Sequence, residues 1–364
     1  MSAPARVASE IPVDLALIDC DVHIPVPEPA LLSPYLSAQW AEYVELTGFT
    51  GLAALEMSYP QGAPTTGAPG IIRARDSVED ALDDLRAHLD SWNVALALCH
   101  CVYPLDTVVN PDLGDAIARA INDWIIEAWL ERDSRLRAAL VVPPGEPQLA
   151  AREIERVGSH PGFVQVLLPV RSGALYGNRR FHPLFEAAAA AQLVVGLHFG
   201  GYAMGAAPTG SGFPTYYLEE YAGMAAVFQS QLRSIVFEGV FDRYPQTRLA
   251  LVEGGFAWLP ALLWRMDCDW RDLRRETPWL KRAPSEYVHE HVRLTLQPLD
   301  GPAEPGDAAL LLEQLDVEHY LMFSTDHPHA HFERPEQALP VGLNESAMRA
   351  ILAGNARDFY SWSV

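Results

Sequence analysis

The segment Leu15-Ala-Leu-Ile-Asp-Cys-Asp-Val-His23 sets the architecture expected for the whole chain. Its apolar half contains no turn residue, which is typical of a strand that is covered on both faces. Polar residues then alternate, and side chains two residues apart in an extended chain point to the same side. We therefore expect Asp21 and His23 to face one point beyond the carboxyl end of this strand. A carboxylate and an imidazole at one point are suitable ligands for a divalent metal ion.

Further short apolar runs follow, and amphipathic helical patterns separate them. The runs predict strands over residues 94–99, 137–142, 163–168, 193–198, 248–253, 292–297 and 320–326. The helical patterns cover 76–92, 111–131, 147–157, 183–191, 217–238, 259–274, 308–315 and 344–354. Parallel strands need helical crossovers, and eight of them close into a (β/α)8 TIM barrel. An open doubly wound sheet is the alternative, but no Gly-x-Gly-x-x-Gly motif follows a predicted strand.

The predicted organisation is an N-terminal arm, residues 1–14, followed by a single α/β barrel domain, residues 15–364. Residues 24–75 are rich in Pro and Gly and interrupt the barrel after its first strand. A segment of this length is expected to be a lid or a binding insertion, with a disordered linker as the alternative. Three aromatic residues in it, Trp40, Tyr43 and Phe49, favour a packed segment.

Composition restricts the partners of the chain. A formal net charge of −21 argues against nucleic acid and anionic membranes as partners. No apolar run approaches the roughly 20 residues that span a bilayer, and residues 1–10 lack the pattern of a signal peptide. Four cysteines without a Cys-x-x-Cys pair are interpreted as reduced thiols of a cytoplasmic protein. We expect a small-molecule substrate, and a homodimer or a related hetero-oligomer.

Polar residues interrupt the apolar runs at the carboxyl ends of four predicted strands, where the active sites of TIM barrels lie. These residues are Asp21, His23, His198, Glu253 and Asp326. The three carboxylates would raise one another's pKa, and a divalent cation would offset their repulsion. An open coordination position on the ion would take water or substrate.

With these residues the chain resembles the amidohydrolase superfamily, and within it the amidohydrolase-related group that contains aminocarboxymuconate semialdehyde decarboxylase. The resemblance runs from the first strand to the last and rests on Asp21-Val-His23, His198, Glu253-Gly-Gly255 and Thr325-Asp-His-Pro-His329. It implies a metal-dependent barrel with ligands on strands one, five and eight. The implied ligands are Asp21, His23, His198 and Asp326.

Strand six departs from that group, which usually carries a histidine there to handle the proton of metal-bound water. This chain has Glu253, which can act as a base or can bridge a second metal ion together with His329 or His327, of which His329 is preferred. A carboxylate-rich site with several imidazoles suits Fe(II) or Mn(II) better than zinc. Strand six resembles a minority of the superfamily, the dinuclear non-haem iron or manganese monooxygenases.

The preferred hypothesis is therefore a dinuclear iron or manganese monooxygenase that hydroxylates a small carboxylate-bearing substrate, with Glu253 and His329 as catalytic residues and additional metal ligands. The alternative is a mononuclear, zinc-type hydrolase or decarboxylase, and a third hypothesis is a partner subunit without activity. Gln297, at the end of strand seven, and Arg171, beyond strand four, are candidate substrate contacts. A surface salt bridge is the alternative for Arg171, and His100 and His182 are expected to be structural.

Overall fold

The computed structural model describes residues 11–12, 15–49, 77–201, 212–302, 304–329, 331 and 334–362. Within this part of the chain, eight parallel strands form one sheet in sequential order. The strands are β1 (Leu17–His23), β2 (Val94–His100), β3 (Leu136–Val141), β4 (Phe163–Pro169), β5 (Val194–His198), β6 (Leu249–Val252), β7 (Val292–Thr295) and β8 (Leu321–Met322). The predicted α/β class and TIM-barrel fold are confirmed.

The sheet closes because the segment after β8 returns to β1. The backbone N–H of Cys20 donates to the carbonyl of Phe323 at 2.9 Å, and the N–H of Asp326 donates to the carbonyl of Asp21 at 3.0 Å. A side chain adds to this closure, since Asp19 accepts from the backbone N–H and the hydroxyl of Thr325 at 3.0 and 2.6 Å. The first and last strands therefore meet at the edge where the candidate site was predicted.

Helices connect successive strands and surround the sheet. They are α1 (Pro29–Leu32), α2 (Ala38–Thr47), α3 (Val78–Ser91), α4 (Pro111–Ile125), α5 (Pro147–Val157), α6 (His182–Ala190), α7 (Tyr217–Phe237), α8 (Val240–Arg243), α9 (Leu259–Leu273), α10 (Pro284–His291), α11 (Pro305–Leu315), α12 (Val317–Tyr320), α13 (Glu345–Arg349) and α14 (Asn355–Tyr360). Local sequence explains where α4 begins. The Asn110 side chain accepts from the N–H groups of Asp112 and Leu113, and Pro111 occupies the first helical position of α4.

Two apolar layers result from the alternation of side chains along the strands. One lies between the strands and the helices and includes Leu17, Val22, Leu140 and Leu251. The other fills the inside of the barrel with residues such as Ile18, Leu98 and Val252, and residues of α14 join it. Arg248 and Gln192 precede β6 and β5, and the Arg248 guanidinium donates to the carbonyls of Gln192 and Phe359. The last helix therefore closes the amino end of the barrel, opposite the candidate site.

The predicted elements differ from the observed ones mainly at their ends. β6 stops at Val252 because Glu253 adopts a left-handed conformation, φ 59°, which leaves the extended region. The sequence did not predict α1 and α2, which lie within the insertion. Residues 50–76 lie outside the described residues. Most of the N-terminal arm also lies outside them. The lid, the arm and the single-domain organisation stay predictions.

Candidate active site at the mouth of the barrel

The irregular end of β1 directs Asp21 and His23 into the mouth of the barrel. The pairing of β1 with β2 shifts register between Asp19 and Val22. Ile18 and Cys20 face the inside of the barrel, whereas Val22, beyond the shift, packs in the outer apolar layer. Asp21 and His23 consequently share the inner side, as predicted, and Asp19 is directed outward to Thr325 and does not join them.

Four contacts link Asp21 and His23 to each other and to His198, Asp326 and His329. Nε2 of His23 lies 3.5 Å from Oδ1 of Asp21 and 2.9 Å from Oδ1 of Asp326. Nε2 of His198 lies 3.4 Å from Oδ1 of Asp21, and Nδ1 of His329 lies 2.8 Å from Oδ1 of Asp326. The five residues form two overlapping sets, Asp21–His23–His198 and His23–Asp326–His329, in each of which the ligand atoms are close enough to hold one metal ion.

The tautomer of His198 suits a ligand role. Its Nδ1 lies 2.8 Å from the carbonyl oxygen of Phe199, which can only accept, so Nδ1 carries the hydrogen. In the neutral ring the lone pair of Nε2 then faces Asp21, whose Oδ1 lies 3.4 Å away. A histidine that ligates a metal commonly donates its other nitrogen to a carbonyl in this manner.

Unpaired buried atoms test whether this cluster fits a metal ion. Oδ2 of Asp21, Nε2 of His23 and Nε2 of His198 are buried and form no well-aligned hydrogen bond with any described residue, although the two nitrogens lie 2.9 and 3.4 Å from carboxylate oxygens. Buried polar atoms are normally satisfied, because a missing partner costs about 1–3 kcal/mol. Three such atoms converging from two strands fit a cation that would satisfy them together.

The cluster strongly perturbs its own carboxylates. Burial acts to raise the pKa of Asp21, but the imidazoles of His198, His100 and His23 outweigh it and hold the pKa well below its usual range. For Asp326 burial also acts upward, and the imidazoles of His23, His329 and His331 again lower the pKa. Both side chains therefore remain carboxylates, which is the state that binds a cation.

Glu253 lies beside the cluster and outside both three-residue sets. Its Oε2 lies 3.9 Å from Nδ1 of His198, on the side of the ring away from Nε2. Its backbone N–H donates to Oγ1 of Thr295 at 2.9 Å, which fixes the left-handed turn after β6. Burial, with added repulsion from Asp326 and Asp21, raises the pKa of Glu253 well above its ordinary value. The metal-free site thus favours a protonated Glu253.

The two candidate substrate contacts are engaged elsewhere in the structure. Arg171 lies 2.5 Å from Oε1 of Glu220 and donates to the carbonyl of Gly201 at 2.7 Å, and this ion pair is largely buried. The Gln297 side chain accepts from the backbone N–H of Leu299 at 3.0 Å. Their roles as substrate contacts stay predictions. His327 also turns away from the cluster, since its ring stacks on His88 with centroids 4.2 Å apart.

Sequence reasoning missed three residues near the site. His100, expected to be structural, is fully buried and holds Oδ1 of Asp21 at 2.9 Å. Tyr103 lies in a cavity beside His198 with its hydroxyl buried and unpaired within the described chain. Tyr221, on α7, lies near the site, and burial and then the charges of Glu253 and Asp326 raise its pKa. The end of β2 carried a signal for His100, a polar residue at the same level as the other strand ends.

A sequence profile of the family described as "Amidohydrolase" matches residues 18–362. The chain belongs to this family. It is 25% identical over 286 residues to the gamma-resorcylate decarboxylase of Polaromonas sp. strain JS666, which covers 70% of this chain and 79% of that protein. It is 29% identical over 224 residues to the gamma-resorcylate decarboxylase of Rhodococcus jostii RHA1, covering 58% and 66%. The resemblance stated from the strand-end residues is thus confirmed.

Solved structures share the fold. The 5-carboxyvanillate decarboxylase of Sphingomonas paucimobilis superposes with a TM-score of 0.67 at 21% identity, over 96% of this chain and 100% of that one. A dihydroxybenzoic acid decarboxylase of Polaromonas sp. JS666, solved with manganese and 2-nitroresorcinol, gives 0.65 at 19% identity, over 95% and 97%. An amidohydrolase of Mycobacterium avium subsp. paratuberculosis gives 0.71 at 20% identity, over 97% and 100%.

The preferred hypothesis of a dinuclear monooxygenase is wrong. The matching curated relatives are decarboxylases, and decarboxylases also recur among the structural neighbours. The alternative made from the sequence, a metal-dependent carboxy-lyase, is better supported. The presence of Glu253 in place of a histidine therefore did not indicate an oxygenase. In the described residues, none of the helices combines the length and apolar character that a membrane span requires.

Proposed function

We propose that this protein is a divalent-metal-dependent decarboxylase of a hydroxylated aromatic acid. The observation that carries the proposal is the convergence of Asp21, His23, His198 and Asp326, with three buried atoms that make no well-aligned hydrogen bond among the described residues, in a family member whose matched relatives are decarboxylases. The relatives named for 2,6-dihydroxybenzoate and 5-carboxyvanillate suggest the substrate class. Structures of two such relatives contain manganese, which favours Mn²⁺ as the ion.

Asp21, His23, His198 and Asp326 would hold the metal ion, with His329 as a further ligand or as the partner that orients Asp326. A bound divalent ion supplies positive charge that orients the substrate's oxygen atoms and stabilises negative charge on them. The residues of the chain do the rest. His23 contacts both carboxylates, and His198 presents a lone pair that its bond to Phe199 fixes in place.

Decarboxylation requires a proton at the carbon that loses carbon dioxide, according to R–COO⁻ + H⁺ → R–H + CO₂. Glu253 is suited to deliver that proton because burial, the main cause of its raised pKa, favours the protonated form. Its position beside the metal-binding cluster and outside it leaves the carboxyl group available to substrate. Reprotonation from solvent would then return Glu253 to its starting state. This role replaces the metal-bridging role predicted from the sequence.

The walls next to the cluster are mostly apolar and enclose about 20 Å³, room for about one water molecule. A cavity at the carboxyl ends of β2 to β5 is lined mainly by apolar side chains, among them Val142, Leu167 and Phe199, and it also contacts His198. Apolar walls with a few polar groups are typical of small-molecule sites. The Tyr103 hydroxyl, which lies unpaired among the described groups, is available to a phenolic oxygen of the substrate.

The proposal is tested by preparing metal-free protein, adding Mn²⁺ or Zn²⁺, and measuring carbon dioxide released from 2,6-dihydroxybenzoate and 5-carboxyvanillate without oxygen. We expect metal-dependent release that His23→Ala abolishes. His182→Ala serves as the matched control, because it removes a partly buried histidine on α6, away from the cluster. Metal binding without release from any hydroxybenzoate would contradict the proposal, and hydrolysis of an amide or ester instead would favour a hydrolase.

A further inference from the structure

A chain of hydrogen bonds crosses the inside of the barrel from one end to the other. The hydroxyl of Tyr360, in α14 at the amino end, donates to Oε1 of Gln165 on β4 at 2.7 Å. Nε2 of Gln165 lies 2.9 Å from Nε2 of His100 on β2. Nδ1 of His100 lies 2.9 Å from Oδ1 of Asp21 at the carboxyl end of β1. His100, Gln165 and Asp21 have no exposed surface, and Tyr360 is 6% exposed.

Chemistry allows only one direction for these bonds. The Asp21 carboxylate can only accept, so Nδ1 of His100 carries the hydrogen. Nε2 of His100 is then the acceptor in a neutral ring, and the amide of Gln165 must donate to it. The amide oxygen of Gln165 in turn accepts from the phenol of Tyr360. Neutrality of the ring agrees with its complete burial.

The surrounding barrel is built around this chain. β5 has a glycine, Gly196, against the Gln165 side chain, and a Cβ at that position would lie 2.2 Å from the Gln165 amide nitrogen. The far end is anchored too, because Arg248 donates to the carbonyl of Phe359 and to the hydroxyl of Ser361, on either side of Tyr360. A polar chain in an apolar interior is stable only when every member is satisfied. The close approach of Gly196 and the contacts of Arg248 therefore make this chain of hydrogen bonds a rigid support for Asp21.

We propose that Tyr360 is a positioning residue for the metal centre, which acts through Gln165 and His100 to hold the Asp21 carboxylate. The bond to Gln165 fixes the amide orientation, the amide fixes the tautomer of His100, and His100 occupies Oδ1 of Asp21. Asp21 therefore meets the ion with its position already set, and its unpaired Oδ2 is left for other contacts. Partners outside the ligands commonly contribute 10–100-fold in metal affinity. The inference rests on the metal site of the proposed function.

The test is a titration of metal-free protein with Mn²⁺, in which the electron paramagnetic resonance signal reports free Mn²⁺. Tyr360→Phe keeps the ring and removes the donor, and we expect the Kd to rise about tenfold, towards the lower end of the range for outer partners. Gln165→Leu should raise it as much or more. Adding Tyr360→Phe to Gln165→Leu should then change nothing further, because the chain is already broken.

A matched control separates positioning from general stability. Tyr287 is also buried, its hydroxyl accepts from the N–H of Lys281 at 3.1 Å, and it belongs to α10 outside the barrel. Tyr287→Phe should lower the thermal midpoint of the metal-free protein comparably and leave the Kd for Mn²⁺ unchanged. Equal Mn²⁺ affinity of Tyr360→Phe and wild type would overturn the inference and leave the proposed function intact.

A second measurement needs no variant. The side-chain ¹⁵N shifts of His100 in the metal-free wild type should show hydrogen on Nδ1 and a bare Nε2. Hydrogen on Nε2 would overturn the inference even if Tyr360→Phe does not fold. Wild-type protein that binds no Mn²⁺ would overturn the proposed metal site and this inference together.

Discussion

Oδ1 of Asp326 lies 2.9 Å from Nε2 of His23, so the last strand end of the barrel meets the first through one carboxylate and one imidazole. Asp326 also adopts a left-handed backbone conformation, φ 60°. Strain of this kind persists where the surrounding structure holds it, and it clusters at functional sites. Here the backbone N–H of Asp326 donates to the carbonyl of Asp21, two residues before His23 in the same strand. Barrel closure and site assembly therefore depend on the same contacts.

Replacing Asp326 by Asn should abolish most of the activity. The amide has nearly the same shape but no charge, so it neither attracts a cation nor balances His23 and His329. We expect kcat to fall roughly 10²–10⁴-fold and bound Mn²⁺ to decrease. Steady-state kinetics and metal analysis measure both. Asp316→Asn is the control, because Asp316 is exposed and has a similar left-handed φ, 55°. A fully active Asp326→Asn variant would remove Asp326 from the site.

Metal binding should stabilise the fold measurably. A ligand that binds only the folded state at 100 times its Kd contributes about 2.7 kcal/mol. Addition of Mn²⁺ to the metal-free protein should therefore raise its thermal midpoint, and excess chelator should reverse the change. His23→Ala should show no increase, since His23 belongs to both three-residue sets. An equal Mn²⁺-induced increase in His23→Ala would place the ion elsewhere.

Glu253→Gln should stabilise the metal-free protein at high pH. Burial, together with the charges of Asp326 and Asp21, raises the pKa of Glu253 in the folded state. At pH values between the ordinary pKa and the raised pKa, the folded state therefore binds more protons than the unfolded state. Stability from this group is present below the ordinary pKa and is lost as pH rises through that window. Gln does not titrate. Urea unfolding from pH 4 to pH 8.5 should show the variant gaining on wild type as pH rises, and a constant difference would contradict the raised pKa.

Gly196→Ala should disturb the interior chain of hydrogen bonds. The added methyl would lie 2.2 Å from Nε2 of Gln165 and 2.4 Å from its Cδ, inside a packed barrel. We expect a loss of about 1–3 kcal/mol in the free energy of unfolding, measured with urea. Gly173→Ala is the control, because a Cβ there meets nothing within 4 Å. Equal stability of the two variants would mean that Gln165 moves without cost.

The strand ends illustrate how far the sequence alone could lead. Alternation within β1 placed Asp21 and His23 together, and the apolar runs located His198 and Asp326 at the same level. The same alternation would have placed Asp19 beside them, but the register shift after Asp19 brings Asp21 and His23 to the inner side, while Asp19 faces outward to Thr325. A bulge depends on pairing with the neighbouring strand, so periodicity within one strand does not reveal it.

By itself, the sequence determined the eight-stranded barrel and the family, because strand periodicity and strand-end chemistry are local patterns. It also identified the residues that surround His23. Only the tertiary structure decided that Glu253 lies beside the cluster, that Arg171 pairs with Glu220, and that Tyr360 reaches His100 through Gln165. These relationships join residues that are far apart in the chain, and distance in space is a property of the closed barrel and not of any segment.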